Sequence, residues 1–390
     1  MPSHQPSTDT LDAQYMTRAL GLARLGLNTT SPNPRVGCVL VVDDEVIGEG
    51  FHVAAGGPHA EINALNSVTS ANRSRIRGAT AYVTLEPCSH HGRTGPCCEA
   101  LATAGVDRVV FGCEDANPSV SGRGLAYLRS KGIAVAGPVL EAEAAALNPG
   151  FNARMCGQRP YVRVKLAMSL DGRTAMASGE SQWITGSAAR AQVQALRARS
   201  CAVISGHSTV ALDQARLNVR ADQLPASTAQ MPAGHPVYSG VRQPLRVVLD
   251  GQGGLTGQEP LFQTPGPILW VTGHGPAIER ENVDLLALPG QSGRVNLPAL
   301  LQALAQRQCN EVLVEAGPTL AGQFVAQGLV DELIVFMAPV LMGSAARPLL
   351  QLPIETMAGK HHLQITDIRA VGSDWQITAK PQGAGSTGAQ

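Results

Sequence analysis

One stretch of the sequence, from His59 to Cys98, restricts the possible folds of this chain more than any other. It opens with His59-Ala60-Glu61 and closes with a segment that carries Cys88, Cys97 and Cys98. One imidazole and two thiolates can supply three protein ligands to Zn²⁺ and leave a fourth tetrahedral position for water. That open position is typical of a catalytic zinc site, so the stretch predicts one.

The order of these residues also predicts a reaction. A His-x-Glu segment followed by Pro-Cys and a further cysteine is the zinc-deaminase signature, in which the glutamate is a general acid/base and not a ligand. Glu61 would take this role, whereas a structural zinc or plain buried thiols would leave it without one. Eight residues separate Cys88 from Cys97 instead of the usual two. We therefore expect an enlarged loop that reaches the substrate.

Length and composition narrow the classes of protein. With 390 residues the chain exceeds one ordinary domain, so two are expected. Its 30 basic and 30 acidic residues balance and only 4% of residues are aromatic, which argues against nucleic-acid binding but not against a small phosphorylated substrate. We find no signal peptide and no transmembrane run. The eight scattered cysteines favour a reduced, cytoplasmic location.

Hydrophobic periodicity predicts an α/β protein with two domains. The first, residues 11–147, should contain a helix over 11–27, a β-hairpin around Asp43-Asp44 and then alternating strands and helices. Residues 148–159 are predicted to be a linker and residues 160–380 a second α/β domain. Residues 1–10 and 381–390 are expected to be disordered.

Asn33 lies between two prolines in the segment 31–37. Each proline fixes its own φ and restricts the residue before it, so Asn33 should be held in one pose. An amide offers both donors and an acceptor, which suits the edge of a pyrimidine. An ordinary turn-forming asparagine is the alternative.

The second half carries weaker signals for phosphate. No G-x-G-x-x-G follows a strand, so a Rossmann site is not supported. The segment from Glu315 to Gly322 runs from a strand into a helix, whose N-terminus could bind phosphate, although a simple strand–turn–helix corner is the alternative. Residues 158–222 hold nine cations and four anions, a balance of 9 − 4 = +5. Paired arginines suit a phosphate, and solvated helix faces are the alternative.

Two sets of motifs, together spanning residues 11–380, carry a resemblance to a known family. Those of the first half are Pro32-Asn33-Pro34-x-Val36-Gly37, Gly50-x-His52, Pro58-His59-Ala60-Glu61 and Leu85-Glu86-Pro87-Cys88-Ser89-His90-x-Gly92-Arg93-Thr94. Those of the second half are Lys165-x-Ala167-x-Ser169-Leu170-Asp171-Gly172-Arg173, Gly179-Glu180-Ser181-x-Trp183-Ile184-Thr185, Leu217-x-Val219-Arg220 and Glu315-x-Gly317-Pro318-Thr319-Leu320. The chain resembles the bifunctional riboflavin-biosynthesis deaminase–reductases.

The resemblance implies a fold and two reactions. The first domain would be a cytidine-deaminase-like αβα sandwich that hydrolyses the 2-amino group of 2,5-diamino-6-(5-phosphoribosylamino)pyrimidin-4-one. The second would be a dihydrofolate-reductase-like α/β domain that uses NADPH to reduce the ribosyl group to ribityl, which gives 5-amino-6-(5-phosphoribitylamino)uracil. The expected partners are small phosphorylated pyrimidines, with no nucleic acid and no membrane. A homo-oligomer is also expected.

The family pattern also implies site residues. One Zn²⁺ would be held by His59, Cys88 and Cys97, with Glu61 as the proton shuttle. The deaminase substrate would contact Asn33, His52, His90 and Arg93. The reductase substrate would contact Ser181, Arg197, Leu217, Arg220 and Glu315. The NADPH contacts would be Ala167, Trp183, Thr209, Asp213, Gly317, Pro318, Thr319, Leu320, Ala321, Gly322 and Gln323.

Two departures from the family pattern leave alternatives open. Cys98 competes with Cys97 as the third ligand, although the loop length favours Cys97. The usual Asp-Asp-Pro or Asp-Asn-Pro is Asp213-Gln214-Ala215 here, so a deaminase with an inactive second domain is one rival. A polynucleotide deaminase and a non-catalytic zinc-binding scaffold are the others.

Overall fold

The strands of this chain form one main sheet in each of two units. The computed structural model describes residues 8–90, 95–118, 120–226, 228, 241–274 and 282–382. The described chain divides into the two units between Gln158 and Arg159. None of the helices in these ranges combines the length and apolarity that a bilayer crossing requires.

The first unit is a five-stranded sheet in the order β2-β1-β3-β4-β5 with helices packed on it. Its strands are β1 Gly37–Val42, β2 Glu45–Phe51, β3 Thr80–Val83, β4 Arg108–Phe111 and β5 Ala134–Ala136. Its helices are α1 Thr8–Leu25, α2 Ala60–Ser67, α3 Cys97–Ala104, α4 Arg123–Ser130, α5 Glu141–Ala146 and α6 Pro149–Met155. β1 is antiparallel to β2 and β3, whereas β3, β4 and β5 are parallel. The carboxyl ends of β3 and β4 therefore lie at one edge of the sheet.

The sequence determines how closely α1 packs against β1. Buried apolar residues recur along one face of α1, including Met16 and Ala19. A Cβ on Gly37 would lie 2.0 Å from the Ala19 carbonyl oxygen, so β1 can approach the helix this closely only with glycine at that position. The predicted hairpin is confirmed, with Asp43 and Asp44 both at positive φ in its two-residue turn.

The second unit is built on a nine-stranded sheet in the order β11-β10-β9-β8-β12-β6-β13-β16-β15. Its strands are β6 Tyr161–Ser169, β8 Ala202–Gly206, β9 Leu245–Asp250, β10 Ile268–Thr272, β11 Val283–Ala287, β12 Glu311–Glu315, β13 Glu332–Ala338, β15 Leu363–Val371 and β16 Asp374–Pro381, and the short pair β7 Arg173–Ala175 and β14 Arg347–Pro348 forms a separate ribbon. Its helices are α7 Ser187–Arg199, α8 His207–Leu212, α9 Pro260–Gln263, α10 Leu297–Gln306 and α11 Pro318–Ala326. The central strands are buried on both faces, which explains their continuous apolar sequences.

The structure corrects several predicted boundaries. Residues 8–10 belong to α1 and not to a disordered start, and β16 extends to Pro381. The predicted linker 148–159 contains α6, because Pro149 suits the first helical turn and Phe151 is buried. Seven further elements lack a prediction: α8, α9, β7, β11, β14, β15 and β16. A half-buried strand shows side chains that are alternately buried and exposed, whereas the first eight side chains of β15 are all exposed.

Candidate active sites in the two units

Three elements of the first unit bring the predicted metal ligands together. His59 immediately precedes α2, Cys88 follows β3, and Cys97 is the first residue of α3. Their ligand atoms lie within 4.8 Å of one another, with His59 Nδ1 at 3.5 Å from Cys88 Sγ and 3.3 Å from Cys97 Sγ. One nitrogen and two sulfurs at this spacing fit a tetrahedral zinc site with one open position. The neighbouring Cys98 packs into the apolar core instead.

The electrostatics of this site favour a thiolate at Cys88. The Cys97 side chain and backbone N–H both hydrogen-bond Cys88 Sγ, the latter at 3.3 Å. These bonds hold the pKa of the Cys88 thiol below its usual range. Because α3 begins at Cys97, the positive end of its helix dipole also faces the sulfurs.

Glu61 lies in the first turn of α2 and is only 3% exposed. Burial, followed by the negative charge of Cys88, raises the pKa of its carboxyl group to about 7. A carboxyl group with such a pKa can both accept and return a proton near neutral pH, as a general acid/base must.

Asn33 and His52, two of the predicted substrate contacts, lie close to each other beside His59. His52 Nδ1 lies 2.9 Å from the Pro58 carbonyl oxygen, so Nδ1 carries the proton and Nε2 accepts from Asn33 Nδ2 at 3.1 Å. Burial lowers the pKa of His52, which keeps the ring neutral. Its ring meets that of His59 edge-on, with centroids 5.3 Å apart.

The other two predicted substrate residues are on the enlarged loop. His90 is exposed at its start, whereas Arg93 lies outside the described residues. Sequence reasoning overlooked Asp115, which is buried close enough to His90 and Cys88 for both to influence it. Burial is the main reason that its pKa is raised to about 6. The sequence signal that could have identified Asp115 is its position just after β4, because β4 is parallel to β3, the strand that precedes Cys88.

Glu86 fixes the segment that carries Asp115 next to the ligand loop. Its buried carboxylate accepts backbone N–H groups of Asp115 at 3.4 Å, Gly122 at 2.9 Å and Gly124 at 3.0 Å. A Cβ on Gly124 would lie 2.0 Å from the Pro87 carbonyl oxygen. The start of α4 is therefore tightly packed against the residues that precede Cys88.

In the second unit the predicted substrate residues Arg197 and Glu315 form a buried ion pair. Arg197 Nε and Nη2 donate to the two Glu315 oxygens at 2.6 and 3.0 Å, and Nη1 donates to the Asn218 carbonyl at 2.9 Å. The Arg197 fork is thus occupied by a carboxylate, which differs from the expected role of arginines as a phosphate site. Leu217 is buried beside this pair, and the Arg220 side chain is exposed.

Lys165 lies beside the Arg197–Glu315 ion pair, although it was not among the predicted site residues. It lies opposite Glu315 in the parallel register of β6 and β12. Burial, the largest influence, and the charge of Arg197 lower the pKa of its ammonium group, while Glu315 acts in the opposite direction. The charges of Arg197, Lys165 and Arg220 together hold the pKa of Glu315 below its usual range despite its burial.

The residues predicted to contact NADPH fall into two groups. The first group includes Thr209, on α8, and Asp213, which directly follows that helix. Asp213 Oδ1 accepts a hydrogen bond from Ser181 Oγ at 3.1 Å, so a predicted cofactor contact touches a predicted substrate contact. Trp183 is 67% exposed and carries the Arg190 guanidinium 4.8 Å above its ring. Ala167 is partly buried on β6.

The second group surrounds the start of α11. Gly317 precedes the helix and is exposed together with Thr319, whereas Pro318, Leu320 and Gln323 are partly buried. Ala321 and Gly322 are buried, and a Cβ on Gly322 would lie 2.2 Å from the Gln351 carbonyl oxygen. The exposed N-terminus of this nine-residue helix fits a phosphate group, since its first N–H groups have no partner within the helix.

Two family models match the chain, one in each unit. The cytidine and deoxycytidylate deaminase zinc-binding region matches residues 9–113, and the RibD C-terminal domain matches residues 160–377. These matches, with the two sheets, confirm the predicted fold class of a cytidine-deaminase-like domain followed by a dihydrofolate-reductase-like domain.

Curated relatives match nearly the whole chain. The riboflavin biosynthesis protein RibD of Escherichia coli is 48% identical over 93% of this chain and 97% of its own. The RibD protein of Haemophilus influenzae is 44% identical over 95% of this chain and 98% of its own.

Solved structures of RibD proteins also match nearly the whole chain. Acinetobacter baumannii RibD in one form has a TM-score of 0.85 and 43% identity, and covers 96% of this chain and 99% of its own. A diaminohydroxyphosphoribosylaminopyrimidine deaminase/5-amino-6-(5-phosphoribosylamino)uracil reductase from Thermotoga maritima has a TM-score of 0.84 and 31% identity, and covers 96% of this chain and 100% of its own.

Proposed function

The chain belongs to the RibD family and is a bifunctional deaminase and reductase of riboflavin biosynthesis, and from that premise we propose which of its residues carry each reaction. The substrate of the first unit is 2,5-diamino-6-(5-phosphoribosylamino)pyrimidin-4-one. Its deaminated product is the substrate of the second unit, which forms 5-amino-6-(5-phosphoribitylamino)uracil. The observation that carries the proposal is the convergence of His59, Cys88 and Cys97 beside the buried Glu61.

In the first unit His59, Cys88 and Cys97 would hold the zinc ion. When bound, zinc supplies a Lewis acid that makes water acidic enough to lose a proton near neutral pH. Glu61 takes that proton and returns it to the departing amino nitrogen, so that water adds to the ring carbon and ammonia leaves. The buried position of Glu61 and its pKa of about 7 support both transfers.

Asn33 and His52 would hold the pyrimidine, and His90 and Arg93 would reach the phosphoribosyl group from the enlarged loop. The hydrogen bond from Asn33 to a neutral His52 supports the first assignment, because it fixes the orientation of the amide beside the ligands. Asp115 completes this side of the site as a buried acid near His90.

In the second unit NADPH would supply the hydride. The exposed start of α11 supports this proposal, because it could bind a phosphate group of the cofactor. The proposed contacts there are Gly317, Pro318, Thr319, Leu320, Ala321, Gly322 and Gln323, of which Ala321 and Gly322 are buried. The remaining proposed cofactor contacts are Ala167, Trp183, Thr209 and Asp213. Asp213 keeps a hydrogen bond with Ser181 in spite of the altered residues after it, which favours an active reductase over an inactive one.

We assign the proton of the reductase step to Lys165. Hydride addition to the sugar carbon moves an electron pair onto the neighbouring heteroatom, which must then gain a proton. The Lys165 ammonium has a lowered pKa and lies beside Glu315, which with Arg197 orders this end of β12. Ser181, Leu217 and Arg220 would complete the substrate site.

A homo-oligomer and a cytoplasmic location remain part of the proposal. β15 lies at one edge of the nine-stranded sheet and exposes Ile365 and Ile368, 56% and 53% exposed, and a second copy would cover such a face. All eight cysteines lie in the described part of the chain and none forms a disulfide bond, which suits a reducing compartment.

One experiment tests both activities together. The purified, zinc-loaded chain is given the diaminopyrimidine substrate and NADPH, while ammonia release and the NADPH absorbance are followed in parallel. We expect one ammonia released and one NADPH consumed per product. Ammonia without NADPH consumption would indicate an inactive second unit, and zinc binding without ammonia would indicate a scaffold.

A further inference from the structure

Asn148 forms a pair of hydrogen bonds with the backbone of Arg35, far away in the sequence. Its Oδ1 accepts the Arg35 N–H at 2.8 Å, and its Nδ2 donates to the Arg35 carbonyl oxygen at 2.9 Å. Asn148 is 3% exposed, so water cannot readily replace either bond. The side chain thus holds Arg35 much as a neighbouring β-strand would.

A second set of bonds connects the same two regions. The Arg35 guanidinium donates through Nη1 to the Leu147 carbonyl oxygen at 2.7 Å. Arg154, on α6, donates through Nη2 to the Pro32 carbonyl oxygen at 3.3 Å. Residues 147–154 therefore bind the chain on both sides of Asn33, at Pro32 and at Arg35.

The position of Asn148 makes this use of its side chain informative. It directly precedes α6, where asparagine usually hydrogen-bonds the first turn of its own helix. Here the side chain makes no such capping bond. Both its acceptor and its donor serve Arg35 instead, so helix capping does not explain why an asparagine stands there.

From these contacts we infer that Asn148 is a positioning residue for the deaminase substrate, acting through Arg35 on Asn33. The inference rests on the proposed role of Asn33 as a substrate contact. Asn33 lies two residues from Arg35, with the φ-restricted Pro34 between them, and donates to His52 beside the ligands. Loss of the two Asn148 bonds would leave the Arg35 guanidinium bound to the Leu147 and Leu27 carbonyl oxygens, but it would loosen the Arg35 backbone and with it the Asn33 amide, without a change to His59, Cys88 or Cys97.

The test compares N148A and N148D with a matched control on α6, the helix that Asn148 precedes. In N148D the carboxylate fits the same space and still accepts the Arg35 N–H, but it places an oxygen against the Arg35 carbonyl. The control is N152A, since Asn152 donates to the Ala145 carbonyl at 3.4 Å and not to the Asn33 region. Zinc content and reductase turnover of the deaminated intermediate serve as folding controls in every variant.

We expect KM for deamination to rise on the order of ten-fold in N148A and N148D, with kcat within about two-fold, because uniform binding is lost. Substrate affinity measured by calorimetry in an E61Q background should fall by the same factor. N152A should keep the parental KM. Should N148A lose zinc or reductase turnover through misfolding, N148D gives the deciding values. Parental KM in a folded Asn148 variant, or a loss confined to kcat, would overturn the inference.

A double variant separates this inference from the proposed function on which it rests. N33A alone should raise KM, and N33A/N148A should raise it no further, since both act through one amide. Additive effects would mean that Asn148 acts elsewhere and would reject the positioning role alone. A parental KM in N33A would reject Asn33 as a substrate contact, and with it the inference.

Discussion

Glu61 combines a buried position with a nearby thiolate, and its chemistry can be separated from metal binding. E61Q keeps the shape and burial of the side chain but cannot accept a proton. We expect deaminase kcat to fall by roughly 10²–10⁴, the usual contribution of general acid–base catalysis, with one zinc per chain retained. Ammonia release and metal analysis measure the two quantities. Unchanged ammonia release would remove Glu61 from the mechanism.

Lys165 allows the equivalent test in the second unit. We expect K165Q to lower reductase kcat on the order of 10²-fold, measured from NADPH absorbance with the deaminated intermediate, because glutamine cannot donate the proton that an ammonium group supplies. In the parental enzyme a lowered pKa should make kcat decline at a lower pH than an ordinary lysine would.

The matched control for Lys165 is the exposed Lys360, whose change to glutamine should leave reductase kcat unaltered. Deaminase activity should be parental in both variants. A K165Q enzyme with normal reductase turnover would show that the proton comes from another group.

Individual residues differ in how far the sequence could predict them. The spacing from His59 to Cys97 was sufficient to predict a site that the fold then assembles. Lys165 was not predictable in the same way, because it meets Glu315 only through the register of β6 and β12. Asp115 likewise depends on two parallel strands ending at one edge.

Among the secondary-structure elements, α1 is joined to the sheet by a buried network that makes stability depend on pH. Arg108 donates to both Asp12 oxygens at 2.8 and 2.6 Å, and Tyr82 Oη donates to Oδ1 at 2.9 Å. Burial alone would raise the pKa of Asp12, but these hydrogen bonds and the Arg108 charge outweigh it and lower the pKa.

D12N should therefore destabilise the first unit by about 1.5–3 kcal/mol at pH 7, the range for hydrogen bonds to a charged group. Because the folded-state pKa lies below the unfolded value of about 3.9, this stabilisation is present above that pH and is lost as the pH falls through the folded-state pKa. The difference in free energy of unfolding between the parent and D12N should therefore shrink as the pH falls. Urea titrations read by hydrogen exchange of α1 and β3 peptides measure it at each pH.

A surface ion pair provides the control for D12N. Arg75 Nη1 lies 2.6 Å from Glu45 Oε2, but both side chains are substantially exposed. E45Q should change the free energy of unfolding by less than about 1 kcal/mol at any pH. Equal effects of D12N and E45Q would contradict the stabilising role of the buried network.

Periodicity identified the elements whose burial is regular and missed those whose burial is not. The apolar strands β8, β10 and β12 were predictable because burial on both faces requires continuous apolar residues. β15 and β16 were not, because the edge strand β15 is exposed along its first eight residues and the burial of its neighbour β16 is irregular. Residues 148–159 have the composition of a linker, and only the tertiary bonds of Asn148 and Arg154 reveal their role.

At the scale of the whole molecule, each unit has its own sheet and its own apolar core. Removal of zinc by dialysis against dipicolinate should therefore abolish ammonia release while reductase turnover of the deaminated intermediate stays within about two-fold. Added Zn²⁺ should restore the first activity. If reductase turnover were lost together with zinc, the two units could not be energetically separate.

The hydrogen bonds of Asn148 and Arg154 have a consequence for protein engineering. A fusion joint placed where composition suggests a spacer, just after Leu147, would deliver a recombinant deaminase module without the residues that hold its Asn33 region. Such a chimera would retain its metal-binding residues, and we expect it to bind its substrate poorly. Gene fusions and domain exchanges should therefore keep the chain intact through Met155, the end of α6.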